Sequence, residues 1–590
     1  MQVKKLPKTT MSLGYNTGML SICFDELNFS NDELLKILNG IKKKVKYVKL
    51  NKDTIIDVNS IEAEKLANVV DEFKLDTKKL AEKQIVPLYQ SLKLLSKTEE
   101  FCDYKTDDVL KKILFDISNY KSSEFDVPVK LKDYMRDYQI DAYKWMKTLV
   151  KYNFCGILAD DMGLGKTLEI ISLIESDNIN KPSLIVCPKS LSFNWLSEFN
   201  KWNSDLDVFV VRGTVAERKS IIESIDECKK SIYITSYDSL KNDLDYYNNI
   251  KFRFMILDEA QFIKNHTTLK AQSVKQISSE LRFVLTGTPI ENTVVDLWSI
   301  FDFLMPNYLY NYSVFKNQYE KEITVNSNND VIRNLVKKIT PFILRRTKEE
   351  VLKDLPEKIE IIRYAEMGEA QRKVYEAQIL KTKEIIKNKV NKIELLSQLT
   401  RLRQICVDPR LFIDDYNGDS AKVEVMINLI NDYVKDGHKV LVFSQFTSVF
   451  PELERSLDEL GIKYFKITGK TDAFDRVQMS QEFNKEESLE KVFFVSLKAG
   501  GTGLNLVGAD IVIHLDPWWN ISAENQATDR AYRIGQKNVV KVIKLICENS
   551  IEQKVLDLQE AKKQVINSVI ADNDDNIVKL SDDDLYYLLS

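Results

Sequence analysis

Histidine is scarce in this chain and cysteine is dispersed, which removes one class of explanation at once. The three histidines (His266, His438, His514) and seven cysteines (Cys23, Cys102, Cys155, Cys187, Cys228, Cys406, Cys547) form no C-x-x-C pair and no cluster in sequence. A structural zinc site needs thiolates or imidazoles at close spacing, so none is expected. Cys187 lies inside the apolar run LIVCP, the setting of a free buried thiol, and free thiols fit the cytosol. Long apolar runs are missing too. No stretch approaches the roughly 18 residues of a membrane span, and the opening MQVKKLPKTTMSLGYN lacks the continuous apolar core of a secretory leader. A cytoplasmic protein with no membrane partner is expected. Charge of one sign is also absent: the net charge is -4 and the pI about 5.8. Chains that coat nucleic acid non-specifically are usually basic, so nucleic-acid contact here has to come from local basic surface.

What is present is length and an ordinary globular mixture. The 590 residues exceed a single core, and 44% apolar with 29% charged residues is typical of soluble domains. Residues 1–125 mix short alternating segments with Lys- and Glu-rich helical patterns, a small α+β region. Within it, residues 46–58 predict two strands around an Asn-Lys-Asp turn. The basic run from Lys42 to Lys49 has the residues to touch phosphates, although a solvated face is the better reading of so short a run.

From about residue 130 the texture changes. Short continuous apolar runs recur, each followed by a helical stretch: CGILAD (155–160), SLIVCP (183–188), SIYITSY (231–237), FMILDEA (254–260) and RFVLTGTP (282–289). A second set follows: KVLVFSQ (439–445), YFKITG (464–469), KVFFVSL (491–497), DIVIHLD (510–516) and VVKVIKLIC (539–547). Strands buried on both faces of a parallel α/β sheet read this way. Two α/β lobes in tandem are predicted. Residues 310–430 carry no comparable run, so a charged helical insertion plus the interlobe connection is expected there. Ser550 to about Ile570 is patterned as an amphipathic helix, and an acidic tail closes the chain.

The chemically distinctive residues fall at strand ends, where open α/β sheets bind ligands. ADDMGLGKT (159–167) stands between a strand and an apolar helix. Gly163 and Gly165 let backbone N–H groups approach a phosphate chain, and the helix N-terminus behind them favours anions. Lys166 suits the β- and γ-phosphates, and Thr167 suits Mg²⁺. Asp160 occupies the first glycine position of the strict P-loop pattern. Asp258 and Glu259 follow the run FMIL. ATP hydrolysis needs one carboxylate on the metal and another to activate water. LTGTPIEN (285–292) could sense γ-phosphate loss, but alone it reads as a turn around Gly287 and Pro289. In QATDRAYRIGQ (526–536), Arg530 and Arg533 are three apart, so on a helix they would share a face. Two guanidinium groups in an interlobe cleft would stabilise the transferring phosphoryl group, whereas alone the pair reads as a solvated face.

Taken together, these strings resemble the motifs of superfamily-two helicase-like ATPases, and within them the SWI/SNF-type DNA translocases of bacterial type. ADDMGLGKT, DEAQFIKN and LTGTPIEN resemble motifs I to III. VLVFSQF, SLKAGGTGLNLVGADIVIHLDPWWN and QATDRAYRIGQ resemble motifs IV to VI. The resemblance spans roughly residues 130–570. It implies RecA-like lobes at 126–345 and 426–575, a helicase-associated region at 1–125, an interlobe connection at 346–425 and a tail at 576–590. It implies ATP and Mg²⁺ as cofactors, with Lys166, Asp258, Glu259, Arg530 and Arg533 in catalysis. Gln139 would read the adenine, with Gly163, Leu164, Gly165, Thr167, Gly501 and Gln526 around the nucleotide. Track contacts to phosphates would come from Lys189, Thr235, Ser236, Ser444, Ser496 and Lys498. Trp518 would couple DNA to the cleft, or else pack in the core. Two departures stand out. Gln261 sits where many relatives carry histidine, and nothing here supplies the upstream zinc module of longer relatives, which suggests a shortened chain.

The resemblance implies a monomeric, nucleoid-associated motor that translocates on double-stranded DNA and displaces bound protein of unknown identity. A strand-separating DNA or RNA helicase shares the same ATP chemistry. So does a repair or defence motor subunit. A binding protein with a dead nucleotide site is disfavoured by the intact Lys166, Asp258, Glu259, Arg530 and Arg533.

Overall fold

Two parallel sheets dominate the computed structural model, each built from the buried runs. It describes residues 2–16, 18–25, 28–51, 54–95, 103–202, 205–287, 294–324, 328–387, 392–497, 504–518 and 521–557. Seven strands precede the first large sheet: β1 (Gln2–Lys5), β2 (Thr10–Asn16), β3 (Met19–Asp25), β4 (Tyr47–Lys49), β5 (Thr54–Asp57), β6 (Gln84–Pro87) and β7 (Asp103–Thr106). They form two small sheets, ordered β1-β5-β4 and β6-β3-β2-β7. The expected hairpin is there, with β4 and β5 antiparallel.

The first large sheet holds β8 (Gly156–Leu158), β9 (Ser183–Cys187), β10 (Asp207–Val210), β11 (Ser231–Ser236), β12 (Lys251–Asp258), β13 (Ser278–Leu285) and β14 (Ile343–Leu344). Its order is β10-β11-β9-β12-β13-β8-β14, and every pairing is parallel. The second holds β15 (Lys358–Ala365), β16 (Val440–Ser444), β17 (Tyr464–Ile467), β18 (Val492–Ser496), β19 (Ile511–His514) and β20 (Val540–Cys547). Its order is β15-β20-β19-β16-β18-β17, again all parallel. The ten apolar runs read from sequence each became a strand. The inner ones, such as β9 and β16, are buried at every position.

The connecting region differs from its expectation. Residues 310–430 contain a strand: β15 pairs with β20 along eight residues and forms the edge of the second sheet. As an edge strand with little burial it alternates charged and apolar residues, so it lacks the continuous run that marks an inner strand. β14 escaped for another reason, being two residues long.

One continuous apolar core runs from Leu6 to Phe342, joining the N-terminal region to the first lobe. Glu72 is sealed inside that joint, 2.6 Å from Lys338 and 3.4 Å from Lys93. The second lobe has its own cores on the two faces of its sheet. Among the described residues no helix is long and apolar enough to cross a membrane. Cys406, Cys547 and Glu552, distant in sequence, bring their ligand atoms within 4.8 Å of one another. Lys422 Nζ lies 2.6 Å from the Glu552 carboxylate, so an ammonium already stands where a cation would go. Residues 551–557 are helical; the rest of that predicted helix and the acidic tail lie outside the described residues.

Candidate active site

The P-loop follows β8, and its shape comes from two left-handed glycines. Gly163 has φ +89° and Gly165 φ +87°, and Gly165 caps the helix Lys166–Glu175. Lys166 Nζ donates to the carbonyls of Asp160 (2.5 Å) and Asp161 (3.3 Å), so its ammonium is held inside the loop. Asp160 is fully buried against the Arg346 guanidinium, which also reaches Glu169 at 3.1 Å and the Tyr138 carbonyl. Burial pushes both carboxyls up, Glu169 well above the usual range, while Arg346 pulls the other way. The departure at Asp160 therefore has a structural role: its carboxylate ties the P-loop strand to the segment that follows β14.

β12 delivers Asp258 and Glu259 to the same cleft. Trp195 Nε1 donates to Asp258 Oδ2 at 2.9 Å, and the Tyr237 hydroxyl donates to the Asp258 carbonyl at 2.8 Å. Glu259 is left-handed (φ 56°) and buried, and its Oε2 lacks a hydrogen-bond partner among the described residues. Burial first, and Asp258 second, push its carboxyl up to about 7, against the pull of Arg530 and Lys166. Gln261 makes a side-chain hydrogen bond to Glu259, so the residue at the unusual position touches the carboxylate proposed to act on water.

The second lobe closes the cleft. Arg530 is buried and its Nη2 lies 3.6 Å from Met162 Sδ on the P-loop. Burial, and then Arg530, hold Arg533 down to about 10. A Cβ added to Gly163 would stand 2.6 Å from Arg533 Cβ, so glycine is required where the lobes meet. One cavity of about 90 Å³ is lined by Gly163, Gly165, Lys166, Thr167, Asp258, Glu259, Arg530 and Arg533. Asn194, Thr286 and Gly287 line it as well; no spacing in the sequence singled out Asn194.

Other expected site residues lie elsewhere. Gln139 is buried beneath the loop, its Nε2 donating to the Leu164 carbonyl at 3.0 Å and its Oε1 accepting from Arg136 N at 3.0 Å. Both ends of its amide are thus engaged by protein, and Leu164 itself is fully buried. Gln526 is half-buried on the helix Ile521–Thr528. Of the track candidates, Lys189 is exposed, whereas Thr235, Ser236, Ser444 and Ser496 are buried at strand ends. Ser444 Oγ donates to Asp516 Oδ1 at 2.6 Å, and Ser236 caps the helix Tyr237–Asn242. Trp518 is half-buried against the second lobe's core, its ring 5.6 Å from the Arg403 guanidinium. Gly501, Lys498 and residues 288–292 of LTGTPIEN lie outside the described residues.

A P-loop on one parallel sheet, faced by an arginine pair from a second, defines the class: a two-lobed, helicase-like nucleoside triphosphatase. Family models agree along the chain. The SNF2-related domain matches residues 138–411, the helicase conserved C-terminal domain 421–535, and the bacterial SNF2 helicase associated domain 1–128. The chain belongs to the SNF2 family of ATP-dependent helicase-like proteins. An uncharacterised ATP-dependent helicase of Mycoplasma genitalium is 38% identical, covering 77% of this chain and 44% of its own. One from Mycoplasma pneumoniae is 34% identical, covering 94% of this chain and 54% of its own. An ISWI chromatin-remodeling complex ATPase of Saccharomyces cerevisiae is 33% identical, covering 77% of this chain and 42% of its own. The chain thus spans about half the length of these relatives.

Proposed function

We propose that this protein is a DNA-stimulated ATPase that translocates along double-stranded DNA and displaces or remodels bound protein without separating the strands. The observation that carries this reading is the split site: Lys166, Thr167, Asp258 and Glu259 come from one lobe, and Arg530 and Arg533 from the other. A site divided in this way is completed or broken by lobe motion, so hydrolysis and movement are coupled. In this reading Lys166 holds the β- and γ-phosphates, Glu259 positions and deprotonates water, and the two arginines stabilise charge on the transferring phosphoryl group. Asp258 and Thr167 are the oxygen donors that fit Mg²⁺; Asp258 Oδ2 is steadied by Trp195, which leaves Oδ1 for the ion. Bound there, Mg²⁺ would neutralise charge developing on the phosphates. The N-terminal region (1–125), first lobe (126–345), connection (346–425) and second lobe (426–575) serve as the working division. Duplex DNA as track rests on the motif resemblance and on the yeast relative, a chromatin-remodeling ATPase. In this reading Lys189 and backbone amides at the strand ends contact the track phosphates, since the serine and threonine side chains there are buried.

The deciding experiment is steady-state ATP hydrolysis with duplex DNA, single-stranded DNA and RNA, each with a strand-release readout. Duplex stimulation without release is expected, and it should fall steeply with salt as phosphate contacts release counterions. Efficient strand release, or stimulation by RNA alone, would replace this reading with that of a strand-separating helicase. Glu259→Gln is expected to bind ATP and lose turnover by about 100-fold or more.

A further inference from the structure

The segment after β14 does two things in three residues. Its backbone runs beside the P-loop, with Ala159 N donating to the Leu344 carbonyl at 2.7 Å and Asp161 N to the Arg346 carbonyl at 3.0 Å. Arg346 turns inward to Asp160 and Glu169. Lys348 then anchors its own backbone N on Asp161 Oδ2 at 3.1 Å and sends its side chain the other way. The ammonium reaches Asp529 Oδ1 at 2.5 Å and the Tyr532 carbonyl at 2.6 Å, both in the second lobe. Lys348 is 6% exposed, and its Cε lies 3.7 Å from where a Cβ on Gly163 would stand.

The partners it holds flank the arginines. Asp529 immediately precedes Arg530, and Tyr532 immediately precedes Arg533. A second cross-lobe pair, Arg212–Asp472, is solvent-exposed at 3.7 Å, and such pairs contribute little. The Lys348–Asp529 pair is different: the ammonium is buried while Asp529 is only part-exposed, and a buried ammonium left alone is strongly disfavoured. Around it lies a small apolar seam of Tyr138, Leu164 and Leu352 with Val351, Leu355 and Ile534. Both ends of Lys348 are therefore fixed, one on the P-loop aspartate and one on the arginine turn.

We propose that Lys348 is a positioning residue that sets the register of the arginine turn on the P-loop, fixing where Arg530 and Arg533 stand relative to the nucleotide phosphates. The inference rests on the ATPase reading for its effect on turnover, but not for its effect on lobe geometry. A misplacement of about 1 Å at a reacting centre can lower a rate about 100-fold, and Lys348 touches no reacting atom itself. Its loss should therefore appear in kcat and not in ATP binding.

The test compares Lys348→Met, Lys348→Arg and Asp529→Asn in the full chain by ATP kinetics, thermal melting and solution X-ray scattering. Lys348→Met is expected to lower kcat about 10- to 100-fold, leave KM for ATP within about twofold, and raise the radius of gyration as the lobes part. Lys348→Arg should restore most of both readings. Asp529→Asn should move both readings in the same direction but less, since Lys348 keeps the Tyr532 carbonyl, and the double variant should do no more than Lys348→Met alone, because that variant already removes the shared interaction. If Lys348→Met fails to fold, Asp529→Asn carries the same readings. Unchanged scattering and kcat, additive losses in the double variant, or a rise in KM with kcat intact would each overturn the proposal. A wild-type chain that hydrolyses no ATP would overturn the ATPase reading alone, because scattering still decides the role of Lys348.

Discussion

Asp160 stands where a strict P-loop has glycine, and the reason is 186 residues away in the chain. Its partner Arg346 is shared with Glu169, so two buried carboxyls face one guanidinium. Burial pushes both carboxyls up while Arg346 pulls them down, and each carboxyl touches the guanidinium, so removing one leaves the other in place. Asp160→Asn alone should therefore cost about 1–2 kcal/mol, because Glu169 still faces the guanidinium. The double variant Asp160→Asn/Glu169→Gln leaves Arg346 without a carboxylate and should cost about 3–5 kcal/mol, more than the singles combined. Denaturant unfolding of the three variants checks this, and simple additivity would show that the two carboxyls do not substitute for each other at Arg346. Local pattern could name Lys166, Asp258, Glu259 and the arginine pair because each motif is contiguous. It picks out the family-like stretch Pro341–Lys348 but gives no role to Arg346 or Lys348, whose meaning depends on partners 186 and 181 residues distant.

Strands buried on both faces show as continuous apolar runs, which is why the inner strands of both sheets are legible and β10, β14 and β15 are not. An edge strand satisfies half its backbone on one neighbour and leaves a face to water, so its side chains carry little pattern. What elements do to one another was also hidden. β19 delivers His514, whose Nε2 lies 3.0 Å from Thr528 Oγ1 on the helix leading into Arg530. The imidazole is buried against Phe443, its ring centroid 5.6 Å away. Burial, and then nearby Lys544, hold it down to about 3 from an ordinary 6.5. The folded state thus keeps His514 neutral where the unfolded chain protonates it. Between pH 6.5 and 3 the unfolded state binds more protons, so stability is full above 6.5 and falls with pH below it. At roughly pH 4.5 the loss is about 3 kcal/mol. His514→Gln, which keeps a hydrogen-bonding group toward Thr528, should flatten that part of the acid limb. Equal slopes for variant and wild type, by thermal melting across this range, would remove His514 as a cause.

At the scale of the whole molecule, the cores divide the chain differently from its chemistry. The active site unites the two lobes, yet the apolar core unites the N-terminal region with the first lobe, from Leu6 to Phe342. The joint is polar at its centre as well: Lys93 Nζ donates to the Glu72 carbonyl oxygen at 2.8 Å, and Lys338 Nζ is within 3.1 Å of the Tyr310 hydroxyl and 3.0 Å of the Tyr319 hydroxyl. Glu72, buried between two lysines, is held down to about 2 despite the opposing effect of burial. Cooperative units follow shared cores rather than shared ligands. Calorimetry should therefore resolve two transitions, one for residues up to about the end of the first lobe and one for the second lobe. Glu72→Gln leaves the buried Lys338 ammonium without its carboxylate, while Lys93, which burial holds down to about 7 even beside Glu72, sheds its proton; the loss is about 3–5 kcal/mol, confined to the first unit. Only the first transition should move, by several degrees, while the second stays. In the proposed reading ATP bridges both units at the cleft, so it should raise the two together and bring them closer. If Glu72→Gln shifts both transitions equally, or if a chain without residues 1–125 keeps the first transition unchanged, the N-terminal region is a separate body and the shared core does not set cooperativity.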